Sequence, residues 1–417
     1  MVEFLEREDI SNDQKKTFAG QYSTVLWEAL NNYQEVFEMN KPADWEEQSK
    51  RQGPETTYSK WQRDEGIPIY KNYWVDLYAL ELGPWERKGC LGAFVNLSGQ
   101  ESLDAYVAEI PPGKESKPER HMFEKGIYIL SGQGSTTVWY DGMPKHTFEW
   151  QEGSLFSPPL NCWHQHFNGR GDAPVRYLAV TTAPLVINLF HSKEFVYENP
   201  FTFRDRYRPE KEYFTDTGVM ESVLFPDSKS SNQKGRSWWM WKTNFIPDAR
   251  HFQHLKENTL MYAPGAARSM WFALSENTMA GHIAEQRAGY YKKAHRHAAG
   301  AHITILGGKG YSLVWPDGQE RVRIDWKPGI MLSPPDNWWH AHFSTGQEPA
   351  LHMALRWSNA GGYIGVTANW QRWQENFGEQ IEYEDEDPSI RNMFEEECAK
   401  NGVELKMPPV IYRGRRG

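Results

Sequence analysis

The chain has 417 residues and a mass of 48.5 kDa, with 46 lysines and arginines against 55 aspartates and glutamates. This length is enough for two or three domains with apolar cores of their own. The formal net charge of −9 argues against a protein that binds nucleic acid or an anionic membrane, because such proteins carry a basic excess. Three scattered cysteines exclude a disulfide framework.

The first segment in chain order is an expected helical or irregular arm, residues 1–84, with one or two amphipathic helices within residues 15–38. Residues 1–13 are acidic and lack the apolar run of a signal peptide. No apolar run in the chain approaches the ~18 residues of a membrane-spanning helix. We therefore expect a cytoplasmic protein with no membrane partner.

The central part of the chain contains an internal repeat. When the sequence is shifted by 176 residues, residues 113–168 align with residues 289–344 without a gap, and 23 of the 56 aligned positions are identical. The shared pattern includes Gly-x-Gly, Val-Trp, Asp-Gly, Ser-Pro-Pro and Trp-His-x-His-Phe. We expect two copies of one domain, residues 85–190 and 265–357, and a linker region of residues 191–264 in which residues 227–236 are the linker itself.

Each copy consists of short strand patterns. β-Branched runs end at the Gly-x-Gly motifs, Asp-Gly pairs mark hairpin turns, and double prolines end further short strands. These features predict an all-β fold, a duplicated antiparallel sandwich or barrel. A helical tail follows in residues 358–417, with a helix that begins at Pro388 and ends before Gly402, and the acidic residues 382–387 are expected to be a solvated surface segment.

Three histidines of the second copy form a candidate metal site. His295 and His297 are separated by one residue, and alternate residues of a strand point to the same face. His340, on a later strand, can complete a face of three imidazoles. Imidazole suits Fe, Zn, Cu and Ni, and three protein ligands leave positions open for a substrate or dioxygen.

Two motifs carry a resemblance to a known family. Gly-x₅-His-x-His from Gly289 and Gly-x₅-Pro-x₄-His from Gly329 resemble the two signature motifs of the cupin superfamily, and their duplication resembles a bicupin. The resemblance implies a double-stranded β-helix, or jelly-roll barrel, in each copy. Most metal cupins carry a glutamate ligand where this chain has Ala301. In this respect the chain resembles gentisate 1,2-dioxygenase-type aromatic ring-cleavage dioxygenases, which bind Fe(II) through three histidines.

The first copy differs at the equivalent positions, which are Glu119, His121 and His164. One interpretation is a second metal site with two histidines and one carboxylate. The other is a degenerate copy in which Lys125, at the place of the usual glutamate, pairs with Glu119 and replaces a metal ion. We favour the second interpretation.

Other residues of the second copy are candidates for substrate binding and catalysis. His342 shares a strand face with His340 and could move protons. Arg356 could bind a substrate carboxylate through its guanidinium fork. Trp338, Tyr291 and His302 are expected around the substrate pocket, and His302 is also a candidate fourth metal ligand.

These patterns lead to one main hypothesis and two alternatives. The main hypothesis is an Fe(II)-dependent dioxygenase that cleaves an oxygenated, hydroxybenzoate-like ring with O₂. The first alternative is a lyase, decarboxylase or isomerase that acts on a carboxylate with Mn, Zn or Ni; Cu is a further option for the metal. The second alternative is a non-enzymatic ligand-binding bicupin. We also expect a homodimer or homotetramer.

Overall fold

The computed structural model describes residues 55–99, 102–210, 212–215, 218–224, 237–257, 262–296, 301–357 and 380–413. The helices predicted within residues 15–38 and the linker at residues 227–236 lie outside this part of the chain. The described α-helices are α1 (Thr57–Asp64), α2 (Ala183–Phe190), α3 (Lys193–Glu198) and α4 (Pro388–Lys400), and none of them has the length and apolar character needed to cross a membrane.

The first jelly roll is built from the strands that follow α1. They are β1 (Ile69–Asn72), β2 (Trp74–Asp76), β3 (Gly83–Trp85), β4 (Cys90–Leu97), β5 (Asp104–Ile110), β6 (Lys125–Ser131), β7 (Gln133–Trp139), β8 (His146–Gln151), β9 (Leu155–Phe156), β10 (Trp163–Asn168) and β11 (Val175–Thr181). The large sheet contains β1-β4-β5-β11-β6-β9 in that order, with β3 beside β4, and the small sheet is β10-β7-β8.

The second jelly roll repeats this arrangement. Its part of the chain contains β12 (Val219–Leu224), β13 (Ser237–Thr243), β14 (Phe245–Ile246), β15 (Lys256–Glu257), β16 (Ala267–Leu274), β17 (Met279–Gln286), β18 (Tyr290–Tyr291), β19 (Ala301–Gly307), β20 (Gly310–Trp315), β21 (Val322–Trp326), β22 (Ile330–Leu332), β23 (Trp339–Ser344) and β24 (Ala350–Trp357). The large sheet has the order β12-β13-β16-β17-β24-β19-β22, and the small sheet is β18-β23-β20-β21. The predicted all-β, duplicated jelly-roll fold is confirmed.

The two jelly rolls exchange short edge strands. β2, which lies between β1 and β3 in the chain, pairs with β22 of the second jelly roll, and Trp74 lies opposite Leu332. β14, which lies between β13 and β15, pairs with β9 of the first jelly roll, and Phe245 lies opposite Phe156. Each large sheet is therefore completed by a strand from the other half of the chain.

The outer faces of the two large sheets share one apolar core. Alternate residues of a strand face opposite sides, so in β5 Val107 joins this shared core whereas Tyr106 points into the first jelly roll. Each fully buried aliphatic side chain contributes about 1.5–3 kcal/mol. The shared core includes Val95, Leu97, Leu178, Val180, Phe272, Met279, Met353 and Leu355.

Helix α4 and the acidic segment before it cover the outer face of the second small sheet. The helix begins where Asp387 accepts a hydrogen bond from the Ser389 amide and ends before Gly402, as the sequence predicts. Phe394 of α4 packs on Phe343 of β23. The expectation that residues 382–387 are a solvated segment is wrong, because Glu386 is buried there and accepts a hydrogen bond from a tyrosine hydroxyl.

The second glycine of each Gly-x-Gly motif is required by close packing. A methyl group on Gly310 would overlap the carbonyl oxygen of Phe343 and lie 2.6 Å from Cη2 of Trp326. We expect Gly310→Ala to lower the free energy of unfolding by about 3 kcal/mol, measured by urea denaturation followed by circular dichroism. Gly171→Ala is the matched control, since nothing lies within 4 Å of that position. Equal stability of both variants would contradict this account of the packing.

Candidate metal centre

The interior of the second jelly roll is lined by alternate residues of β23. His340 and His342 point inward, whereas Trp339 and Phe343 point outward into the core beneath α4. The backbone of His295 is joined to that of His340 by two hydrogen bonds, with N···O distances of 3.0 and 2.8 Å. This bridge places His295 beside the inward face of β23.

The imidazoles of His295 and His340 are arranged as a pair of metal ligands would be. Their ring centroids are 4.1 Å apart, and both residues are 2% exposed. Nδ1 of His295 lies 3.0 Å from the carbonyl oxygen of Lys293, and Nδ1 of His340 lies 3.0 Å from that of Trp338. A carbonyl oxygen only accepts, so each Nδ1 carries a proton, and Nε2 is the nitrogen with which the neutral ring can bind a metal. Burial lowers the pKa of His340 to about 3, so this imidazole is neutral, as ligation requires.

Two of the three predicted ligands are therefore brought together. The third, His297, lies outside the described residues, and its role stays a prediction. Ala301, at the place of the usual glutamate ligand, is buried and lies opposite Arg356 on the inward face of β19. Its methyl group offers no ligand atom there.

A chain of hydrogen bonds fixes the orientation of the His342 ring. Trp326 Nε1 donates to Ser312 Oγ over 3.0 Å, and Ser312 Oγ lies 2.8 Å from His342 Nδ1. The contact with Ser312 holds Nδ1 on one side, so Nε2 is the ring nitrogen that faces away from the serine. The same chain of contacts occurs around His166 in the first jelly roll, so this support belongs to the shared scaffold.

Two cationic side chains accompany these imidazoles. Lys292 is 7% exposed, and its backbone amide donates to the carbonyl oxygen of His342. Burial first, and then the charge of Arg356, lower the pKa of Lys292 to about 7. Arg356 lies on the inward face of β24, with its guanidinium 4.9 Å from the ring centroid of Trp271. Among the described residues, no carboxylate forms an ion pair with Lys292.

Sequence reasoning missed Lys292 and two further imidazoles. His342 lies 5.8 Å from His352, and His352 lies 5.7 Å from His282, between ring centroids. His282 and His352 occupy the strand positions that Tyr106 and Tyr177 occupy in the first jelly roll, since each lies opposite an alanine of the paired strand. The repeat contained a signal for Lys292. The aligned position of the first copy is Ser116, so the lysine is a feature of the second copy alone.

Of the three residues predicted around the substrate pocket, Tyr291 and His302 face away from the interior of the second jelly roll. Tyr291 is fully buried on the outward face, packs on Phe343 and donates its hydroxyl proton to Glu386. His302 lies opposite Leu355, on the face of β19 that belongs to the core shared with the first jelly roll. Trp338 is half-buried, 5.7 Å from Tyr73 between ring centroids, where the chain leads into β2. Tyr291 and His302 are thus excluded from the interior, since each alternates with an inward-facing neighbour.

The equivalent site of the first jelly roll contains a different set of groups. Potential ligand atoms of Glu119, His121 and His164 lie within 4.8 Å of one another, and all three residues are buried. Lys125 Nζ lies 2.7 Å from Glu119 Oε1 and 2.8 Å from His164 Nε2. Lys88 donates to the same Oε1. Burial opposes ionisation of Glu119, but these lysines outweigh it and hold the pKa of Glu119 well below its usual range.

The family comparison agrees with this geometry. Residues 106–181 match the cupin domain family. The second jelly roll repeats the sequence pattern and strand order of this segment, so the chain contains two copies of one fold. No curated protein matches the chain.

Solved structures with a related fold include oxalate decarboxylase of Bacillus subtilis at pH 4.6. It has a TM-score of 0.44 and 14% sequence identity, and the match covers 71% of this chain and 78% of that one. A structure used to assign the Mn(II) centres of the same enzyme has a TM-score of 0.45 and 14% identity, over 82% of this chain and 89% of that one. Likeness at this level carries no information on activity.

The position of His302 can be tested by removing its ring. Both ring nitrogens are buried without a hydrogen-bond partner, and burial lowers the pKa of His302 to about 4. An unpaired buried polar group costs about 1–3 kcal/mol, so we expect His302→Met to be as stable as the unmodified chain or more stable at pH 7. Thermal unfolding and metal content are the measurements. A loss of bound metal would show instead that His302 is a ligand.

Proposed function

We propose that the second cupin domain binds a divalent metal and that the chain is an enzyme acting on a small carboxylate substrate there. The observation that carries the proposal is the pair of buried imidazoles, His295 and His340, with the buried side chain of Lys292 close enough to influence His340. Metal ligands alone would fit a structural site. A buried lysine with no carboxylate partner fits a site that receives an anion.

The donor set is suited to a metal. Nδ1 of His295 and Nδ1 of His340 each contact a backbone carbonyl oxygen, so Nε2 is the proposed ligand atom of each ring. We propose His297 as the third ligand, on the support of the sequence motif. Bound to three neutral imidazoles, a divalent metal would supply Lewis-acid polarisation of a substrate oxygen and would retain open positions.

The protein groups around this set define what the substrate must carry. Lys292 and Arg356 supply positive charge for a carboxylate, and charge-assisted hydrogen bonds of this kind are the strong ones. His342, whose Nδ1 is held by Ser312, is proposed to exchange a hydrogen bond or a proton with a substrate oxygen through Nε2.

A decarboxylase, lyase or isomerase is the function that these groups support best, because positive charge and Lewis acidity at a carboxylate stabilise the enolate-like or carbanionic charge of such reactions. The ring-cleaving Fe(II) dioxygenase is a second candidate, favoured by the alanine at position 301, which keeps the proposed set entirely histidine. The same cations would bind a hydroxybenzoate carboxylate. The cytoplasmic location and the homo-oligomer stay predictions.

The metal site is tested by metal content. Protein purified anaerobically without an affinity tag, equilibrated with Fe(II) or Mn(II) and desalted, is expected to hold about one metal per chain at the second domain. His340→Ala and His297→Ala should each abolish that binding, since each removes one of three ligands, whereas His352→Ala should retain it. Mass spectrometry of the eluted metal is the measurement. Retention of metal by His340→Ala would overturn the proposed site.

The reaction class is tested on a panel of carboxylates, from oxalate and 2-oxo acids to hydroxybenzoates. Evolution of CO₂ without oxygen uptake would identify the decarboxylase, and oxygen uptake with ring cleavage would identify the dioxygenase. On whichever substrate turns over, Lys292→Met is expected to raise KM by about 10–100-fold while metal content is unchanged, because one charge-assisted contact is lost. Arg296→Met is the control, since Arg296 pairs with Asp317 on the outside. An unchanged KM in Lys292→Met would refute the anion-binding role.

A further inference from the structure

The first cupin domain contains a set of residues whose spacing suits a metal. The carboxylate of Glu119 and the imidazoles of His121 and His164 are buried and mutually within 4.8 Å. The surroundings of this set decide whether an ion can enter, and they differ from those in the second domain.

Lys125 uses the lone pairs that a metal would need. Nδ1 of His164 lies 3.0 Å from the carbonyl oxygen of Cys162, so Nε2 of His164 is an acceptor. Lys125 Nζ donates to this nitrogen over 2.8 Å and to Glu119 Oε1 over 2.7 Å. Two of the three potential ligands are thus bound to one amine nitrogen.

Further cations saturate the remaining capacity of Glu119. Lys88 donates to Glu119 Oε1, and Arg87 Nη1 lies 3.0 Å from Glu119 Oε2. Arg87 also pairs with Glu65, because its Nε lies 2.8 Å from Glu65 Oε2. Three cations thus face two carboxylates in an interior that screens charge weakly, where a divalent ion would add strong repulsion.

The second domain has different residues at both the Glu119 and the Lys125 positions. At the position aligned with Glu119 it has His295, and at the position aligned with Lys125 it has Ala301. The carboxylate occurs with the lysine, and the imidazole occurs with the small apolar side chain. Glu119 and Lys125 are thus replaced together, as expected of two side chains whose charges compensate each other.

We propose that the ammonium group of Lys125, supported by Lys88, takes the place of a metal ion in the first cupin domain. The set formed by Glu119, His121 and His164 is a latent metal site that the lysines keep closed. The native chain then holds its metal in the second domain alone.

The test measures metal binding in the His340→Ala background, in which the second-domain site is disabled. With both lysines present, Co(II) titration should give no d–d absorption band from a protein site. The variant with Lys88→Met and Lys125→Met should gain about one Co(II) per chain, because Glu119 and His164 are released and can bind a metal together with His121. Addition of His121→Ala should abolish that gain. Arg87 remains to pair with Glu119, and circular dichroism checks that the variants are folded.

Two results would overturn the proposal. The first is metal in the unmodified chain that is lost in His121→Ala, which would show that the first domain already holds an ion; this comparison needs no lysine variant. The second is a folded double-lysine variant that binds no Co(II). Neither result bears on the second domain, whose metal is tested separately through His340→Ala and His297→Ala with the first domain intact.

Discussion

A buried charge needs a partner of opposite charge, and the two jelly rolls differ in whether the protein itself supplies that partner. A carboxylate or ammonium group removed from water loses several kcal/mol of solvation, which only close opposite charges recover. In the first domain Glu119 is surrounded by Lys125, Lys88 and Arg87, so the compensation is complete within the protein. In the second domain Lys292 is buried without such a partner among the described residues. The first interior thus contains counter-charges of its own, whereas anion binding in the second is our proposal for the missing one.

The scaffold that holds these groups is common to both halves. The Trp326–Ser312–His342 contacts recur in the first domain, and the outward arginine of each copy lies over a tryptophan ring. Such shared contacts fix the geometry of an interior without specifying its chemistry. The chemistry of each interior is set by the few positions at which the copies differ. Comparison of the two copies therefore distinguishes residues that support the fold from residues that determine the chemistry.

Much of the fold could be predicted from the sequence because the repeat is long and ungapped. The pairing of Lys125 with Glu119 could also be anticipated, since both follow from the aligned positions. Tyr291 and His302 were misplaced because strand alternation reverses every side chain when the register moves by one residue, and the loops that set this register have no sequence signal of their own. The burial of Glu386 was missed since nothing in an acidic run indicates a tyrosine partner more than ninety residues away.

The exchange of β2 and β14 has a consequence for how such a chain can be divided. A cut between the two halves leaves each half without an edge strand and exposes a row of unpaired backbone groups together with half of an apolar core. Neither half is then a self-sufficient module that could be transplanted or expressed by itself. The chain is arranged as a covalently tethered, strand-swapped dimer, in which each domain completes its large sheet only with a strand from the other.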